Sequence, residues 1–175
     1  MIFEKYHPIM TAHYVLDWLT TYKVKDVFAL RHDMTVASLS GRTVDETLTE
    51  TATYVNQMMS RVMSNQALVW GIGDQRTQAY LGTVMLTDFK TEQSQATISI
   101  EVVANEEQQV ISREVLLHTL AFSREELGLT VLTADVPLQN TLAQTLFEAA
   151  GFTAFPSTRG VLERHYERDL SVPIA

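Results

Sequence analysis

The pattern of apolar and polar positions is sharpest between Thr97 and Asp135. Over Thr97–Val103 the residues alternate, with Ile98, Ile100 and Val102 on one side and Thr97, Ser99, Glu101 and Val103 on the other, the period of a half-buried strand. The polar run Asn105–Gln109 interrupts that alternation. From Val110 to Leu127 the residues Ile111, Val115, Leu116, Leu120, Ala121 and Leu127 return at three- and four-residue spacing, which predicts a helix ended by Gly128. Thr130–Ala134 reads as the next strand. Two strands joined by such a helix are expected to be parallel, with a right-handed crossover. The loop at 104–109 then lies at the carboxyl end of the first strand, where open α/β sheets hold ligands.

The rest of the chain fits around this unit. His13–Leu19 reads as a first strand, Thr20 as a helix cap, and Lys23–Leu30 as a short helix carrying Val24, Val27, Phe28 and Leu30. Arg31–Gly41 is a poorly patterned connection. Val44–Met63 predicts a longer amphipathic helix with Leu48, Ala52, Val55, Met59 and Met63 along one stripe. Leu68–Ile72 and Ala79–Leu86 read as an antiparallel hairpin turning at Gly73–Arg76, and a second turn at Asp88–Ser94 leads into the central strand. Past Asp135, Asn140 can cap a helix that runs to Ala150 and stops at Gly151. Thr153–Phe155 and Leu162–Leu170 then predict a closing hairpin around Pro156–Gly160. About seven strands and four helices in this order give an α/β (α+β) layer structure, with a mostly antiparallel sheet and helices on both faces.

Composition narrows the chemistry. At 175 residues the chain fits one domain with a full core. It contains no cysteine, which excludes disulfides, thiolate metal sites and a cysteine nucleophile, and suits a reducing cytoplasm. A net charge of -8 argues against a nucleic-acid partner, since phosphate contacts need a clustered basic face. The amino end is not patterned as a signal peptide, and no apolar run reaches the roughly 20 residues of a membrane span, so no membrane partner is expected.

Other local features have plain readings. Glu114 and His118 stand one helical turn apart, but a third metal ligand is missing, so a surface pair is expected and no metal site. Gly71-Ile72-Gly73 echoes a dinucleotide loop, yet a turn and strand follow, as in a hairpin. Met58, Met59 and Met63 read as core packing.

Three stretches together resemble the GNAT family of acetyl-CoA-dependent N-acetyltransferases, and most of all its branch that acetylates amino termini of ribosomal proteins. These are Thr11–Thr20 with Asp26–Leu30, the unit Thr97–Leu127, and Asn140–Phe152 with its Gly151-Phe152 ending. The resemblance implies a twisted mixed sheet, splayed between the strand ending at Val103 and the one starting at Thr130. It implies acetyl-CoA as co-substrate, with pantetheine lying in the splay against the backbone of Val102 and Val103. The acceptor would be a small amine or a peptide amino terminus, attacking directly in a ternary complex. Arg31–Gly41 and Pro156–Gly160 would border the acceptor pocket. Paired edge strands would make a homodimer reasonable.

The family's phosphate loop reads Gln or Arg, two residues, Gly, one residue, Gly or Ala, and its glycines let backbone amides wrap a pyrophosphate at a helix start. The matching stretch here is Glu107-Gln108-Gln109-Val110-Ile111-Ser112, followed by Arg113. An acid replaces the amide or base, and Val110 replaces the main glycine. A β-branched side chain is expected to crowd the approach, and Glu106 and Glu107 would each oppose the anion by about 1–3 kcal/mol before screening. The family's general-acid tyrosine falls at Phe147, and the serine that its ribosomal branch uses falls at Ala143, so neither hydroxyl is present. On this pattern Val110, Ile111, Ser112, Arg113 and Asn140 would contact the cofactor. Asn140 equally reads as a simple helix cap, and Ser112 as a helix-start serine. Glu101 reads as a general base for the amine, or as a salt-bridged strand residue. The same departures equally fit a non-catalytic binding module on the same fold.

Overall fold

The computed structural model describes residues 1–156 and 162–173. Its sheet follows chain order for the first six strands and then inverts, giving β1-β2-β3-β4-β5-β6-β8-β7. The strands are β1 (Ile9–Met10), β2 (Tyr14–Asp17), β3 (Leu68–Asp74), β4 (Tyr80–Lys90), β5 (Gln95–Val102), β6 (Val131–Pro137), β7 (Thr153–Phe155) and β8 (Glu163–Asp169). The helices are α1 (Val24–Arg31), α2 (Met34–Leu39), α3 (Leu48–Met63), α4 (Gln108–Glu125) and α5 (Thr141–Ala149). Among the described residues only β5 and β6 pair in parallel, and every other neighbouring pair is antiparallel. The expected βαβ unit, the mostly antiparallel sheet and the closing hairpin are therefore all present. Among the described residues no helix is long and apolar enough to cross a membrane.

Strand alternation assigns the two faces. Ile98 and Val102 of β5, Leu132 and Ala134 of β6 and Tyr166 of β8 are buried on one face, which α4 and α5 cover. Phe122 of α4 meets Trp70 edge-on at 5.6 Å, and Phe147 of α5 stacks on Tyr166 at 6.2 Å. On the other face α3 reaches β4 through Tyr54 and Met85. Tyr22 lies over Gly71 and Gly73, where any Cβ would meet its ring within 3.0 Å. Those two glycines thus lie inside β3 to admit an aromatic ring, and the hairpin turn follows them. There Asp74 Oδ1 accepts from the amides of Arg76 and Thr77, both at 2.8 Å.

Several boundaries differ from the sequence pattern. The first strand is shorter than His13–Leu19, and Thr20 lies within a 3-10 turn at Leu19–Thr21 instead of capping α1. The unpatterned connection Arg31–Gly41 holds α2, whose N-cap Asp33 accepts from the Val36 amide at 2.9 Å. Helix α3 starts at Leu48 behind a capping box of Thr47 and Glu50, and buries Thr51, Val55 and Val62. Leu48 and Met63, expected on its stripe, are exposed. Threonine 51 wins a buried place because its hydroxyl donates to Asp45 Oδ2 at 2.7 Å, a partner that periodicity does not reveal.

Candidate active site

The gap between β5 and β6 opens because only their first three residues pair: Gln95 with Val131, Ala96 with Leu132 and Thr97 with Thr133. Beyond that point β5 stays on β4 and β6 stays on β8. Alternation decides which backbone groups are left facing the gap. The Val103 N–H donates to the Leu81 carbonyl at 2.9 Å, so Ile100 and Val102 turn their N–H and C=O groups the other way, into the gap. The Leu138 N–H donates to the Leu162 carbonyl at 3.0 Å, which by the same parity turns the Asp135 backbone into the gap from the opposite side. Half-buried backbone groups need partners. An extended chain bearing amides would satisfy both edges as an added strand does.

Side chains divide the gap into two narrow chambers. The first, about 50 Å³, is lined by Val102, Gln108, Gln109, Ser112, Asn140 and Phe147 among others. That is room for a few water-sized groups in file. The second, about 100 Å³, is lined by Tyr54, Thr83, Ser99, Glu101, Asp135 and Phe147 among others. Helix α2 closes the first chamber with Val36, Leu39 and Ser40.

The start of α4 points at the first chamber. Asn105 Oδ1 takes the Glu107 amide at 2.9 Å, and Ile111 donates to the Glu107 carbonyl at 3.0 Å. The amides of Gln109 and Val110 have no acceptor among the described residues, as expected for a first helical turn. Ser112 is buried and lines the chamber, and its hydroxyl has no partner among the described residues. An anion at this end would meet two free amides, a hydroxyl and the positive end of an 18-residue helix, opposed by the exposed Glu106 and Glu107.

Of the residues singled out in the sequence, Glu101, Val102, Ser112, Asn140 and Phe147 converge on these chambers. Four do not. Both polar groups of the Val103 backbone are taken, the N–H by Leu81 and the carbonyl by the Asn105 amide. Ile111 is wholly buried in the core. Val110 and Arg113 line a separate groove on the outer side of α4 with Thr11, Ala12 and Leu117. The Val110 side chain, 63% exposed, therefore does not crowd the gap; helical rotation carries it away.

Glu101 is spoken for. Arg42 Nε donates to its Oε2 at 2.8 Å and Nη2 to its Oε1 at 2.6 Å. Arg42 also donates to the carbonyls of Arg31 and Thr43, both at 2.9 Å. A second fork lies alongside: Arg31 donates to both Asp45 oxygens, at 2.6 and 3.0 Å, and lies 3.6 Å from the centre of the Tyr54 ring. Burial alone would raise the Asp45 carboxyl, but the bonds from Arg31 and Thr51 hold it below the usual carboxylate range. Burial pushes the Tyr54 and Tyr80 phenols up, so both remain protonated hydroxyls; that of Tyr80 shares a 2.6 Å bond with Thr83.

Asn140 does two things. Its Oδ1 accepts from the Ala143 amide at 3.0 Å as the cap of α5, and its Nδ2 donates to the Leu39 carbonyl at the end of α2, also 3.0 Å. Phe147 packs edge-on to Phe152 at 4.9 Å and presents a ring where a hydroxyl was in question. Sequence reasoning missed Arg42, Asp135 and α2. The Asp33 cap was the one available signal, since a 6-residue helix is too short for periodicity to register. Among the described residues no three His, Asp or Glu side chains cluster as for a metal. Glu114 bonds Thr11 at 2.6 Å and His13 at 2.7 Å instead of pairing with His118. Of the expected border at Pro156–Gly160, residues 157–160 lie outside the described residues.

Comparison with known proteins agrees with this architecture. The family described as acetyltransferase (GNAT) domain matches residues 14–153. No curated protein matches the sequence. Among solved structures, a provisionally named ribosomal-protein-serine acetyltransferase of Vibrio cholerae superposes with TM-score 0.83 at 18% identity, covering 97% of this chain and 99% of that one. Spermidine N-acetyltransferase of Vibrio cholerae, in complex with CoA and spermine, gives 0.76 at 17% identity, covering 91% and 97%. The Microcin C7 self-immunity acetyltransferase, with acetyl-CoA and AMP, gives 0.73 at 13% identity, covering 90% and 93%. At these identities the likeness speaks for the fold.

Proposed function

Because the chain belongs to the GNAT acetyltransferase family, we propose that it transfers an acetyl group from acetyl-CoA to a primary amine, either a protein amino terminus or a small amine, by direct attack in a ternary complex. The observation that carries this reading is the unpaired backbone of Ile100 and Val102 facing that of Asp135 across a narrow gap. An arm bearing amides is the chemistry that such a gap accepts. Acetyl-CoA supplies the activated thioester, and a chain without cysteine has no thiol to carry the acetyl group between donor and acceptor, which favours direct attack by the amine.

The remaining residues hold and exclude. Val102 and Ile100 would pair with the pantetheine arm, while Ser112 and the amides of Gln109 and Val110 would receive the pyrophosphate. Phe147 walls both chambers and keeps water from the thioester. Asn140 fixes the start of α5 to the end of α2 beside the first chamber. The structural neighbours named for a ribosomal protein and for spermidine both favour an amine acceptor.

One observation favours a second reading. The chambers are small, and neither Phe147 nor Ala143 offers a hydroxyl to protonate a leaving thiolate, which suits a module that binds CoA weakly or not at all and does not turn over. Calorimetric titration with acetyl-CoA separates the two. Binding at micromolar Kd, weakened at least tenfold by Ser112→Val with Gly82→Ala, supports the enzyme. Absence of binding even at low salt sinks it and leaves the interaction module.

A further inference from the structure

Two carboxylates line the chambers, Glu101 and Asp135, and they differ in what they have left to give. Both Glu101 oxygens carry Arg42 bonds in a two-point fork. That leaves it neutralised and immobile. Asp135 uses only one oxygen: His165 Nδ1 lies 2.7 Å from Oδ1, and Oδ2 has no partner among the described residues. Its side chain is one-fifth exposed, open to the chamber but largely shielded from bulk water. The opposite edge of His165 is held by Glu167, with Nε2 3.3 Å from Oε1. Asp135 and Glu167 are the titratable groups that face His165 among the described residues, from β6 and from its own strand β8.

Resting on the acetyl-transfer reading above, we propose that Asp135, oriented by His165, is the carboxylate that receives the acceptor ammonium and takes its proton, and that Glu101 is not. Oδ2 has no partner among the described residues, and Asp135 lines the second chamber, where the amine would lie. The proton leaves the acceptor nitrogen for Asp135 Oδ2, directly or through one water. The freed lone pair forms the N–C bond as the C–S bond breaks and its electron pair departs with sulfur; the nitrogen then gives its second proton to the departing thiolate, directly or through solvent, which leaves a neutral amide and a thiol. His165 is a positioning residue: in the Nδ1–H tautomer its ring donates to Asp135 Oδ1 and fixes the carboxylate rotamer, while Glu167 Oε1 lies 3.3 Å from Nε2 behind the ring. A carboxylate fixed by an imidazole can bind a primary ammonium of any source, so a free polyamine and a peptide amino terminus are both suitable probes.

The test uses the whole protein, acetyl-CoA, and two amine probes, spermidine and a short peptide with a free amino terminus. Calorimetry with acetyl-CoA comes first, because its failure overturns the acetyl-transfer reading and the base assignment with it. With binding established, Asp135→Asn is expected to lower kcat at least 100-fold on whichever probe turns over, leaving acetyl-CoA Kd within twofold. Asp135→Glu should restore part of that loss. His165→Gln should lower kcat about tenfold and displace the acidic limb of the kcat/KM profile, which a merely structural role would not move. If Asp135→Asn keeps kcat within threefold with an unchanged limb, the assignment is wrong. Should neither probe turn over, the ring resonances of His165 decide by NMR: with CoA present, spermidine or the peptide must shift them in the natural protein and not in Asp135→Asn. No shift with either probe overturns the proposal.

Discussion

Arg42 and Glu101 meet in a two-point fork, Nε to Oε2 at 2.8 Å and Nη2 to Oε1 at 2.6 Å, 59 residues apart in sequence. The same guanidinium holds the carbonyls of Arg31 and Thr43, so one side chain ties the end of α1 and the start of the α3 approach to the central strand. Removing it leaves a mostly buried carboxylate without its partner. Arg42→Ala is expected to cost about 3 kcal/mol of stability, read as a fall in the urea midpoint. Arg42→Lys should recover less than half, because an ammonium cannot make the fork.

The neighbouring pair predicts a dependence on acid. Asp45 has its folded-state pKa held below the unfolded value by Arg31 and Thr51, against burial. The unfolded chain therefore takes up this proton first as pH falls. The contribution is complete above the ordinary carboxylate value near 4 and is lost as pH drops through the folded value. Stability measured from pH 6 downward should fall through that window, and Asp45→Asn should flatten the fall while lowering stability at neutral pH.

Gly82 sits opposite Val102, at the end of β5 and beside the gap. A Cβ there would meet the Glu101 carbonyl oxygen at 2.2 Å and the Val102 Cα at 2.9 Å, both backbone. Since neither can swing aside, Gly82→Ala is expected to push β5 away from β4, at a cost of about 2 kcal/mol. It should weaken acetyl-CoA binding more than its stability loss explains, as Val102 moves with the strand. Equal affinity in a folded variant would show that the Val102 edge does not carry the cofactor.

At the head of α4 the two departures from the family loop should behave differently. The Val110 side chain points into the outer groove, so Val110→Gly should change acetyl-CoA Kd by about threefold or less, while costing about 0.4 kcal/mol of helix stability. Glu107→Gln removes a negative charge beside the free amides and should tighten binding by about fivefold at low salt, fading at 0.5 M. Calorimetry at two salt concentrations checks both.

Adding back a hydroxyl tests the absent acid. Phe147 lines both chambers, and Phe147→Tyr should raise kcat by about tenfold or more if the new hydroxyl reaches the leaving sulfur. The ring is packed against Phe152 and Tyr166, so about 1 kcal/mol of stability should be lost with it.

The sequence by itself determined the elements whose burial repeats with a period. Alternation over Thr97–Val103 and the return of Ile111, Val115, Leu116 and Leu120 at helical spacing had to become a strand and a helix, because only those shapes place these residues on one side. Parallel pairing of β5 and β6 followed from the length of the crossover, and Asn140 and Gly151 marked the ends of α5 by local backbone chemistry. Tertiary structure alone decided the rest. Where the β5–β6 ladder stops depends on what stands between the strands, and so the facing of Ile100, Val102 and Asp135 could not be read from either strand. Val110 had the right position in the loop pattern, and only the helical phase of α4 turned it outward. The partners of Glu101 and Asp135 lie 59 and 30 residues away. A charged residue carries no periodic signature of its partner, so which carboxylate is locked and which is free was fixed only when Arg42 and His165 folded against them.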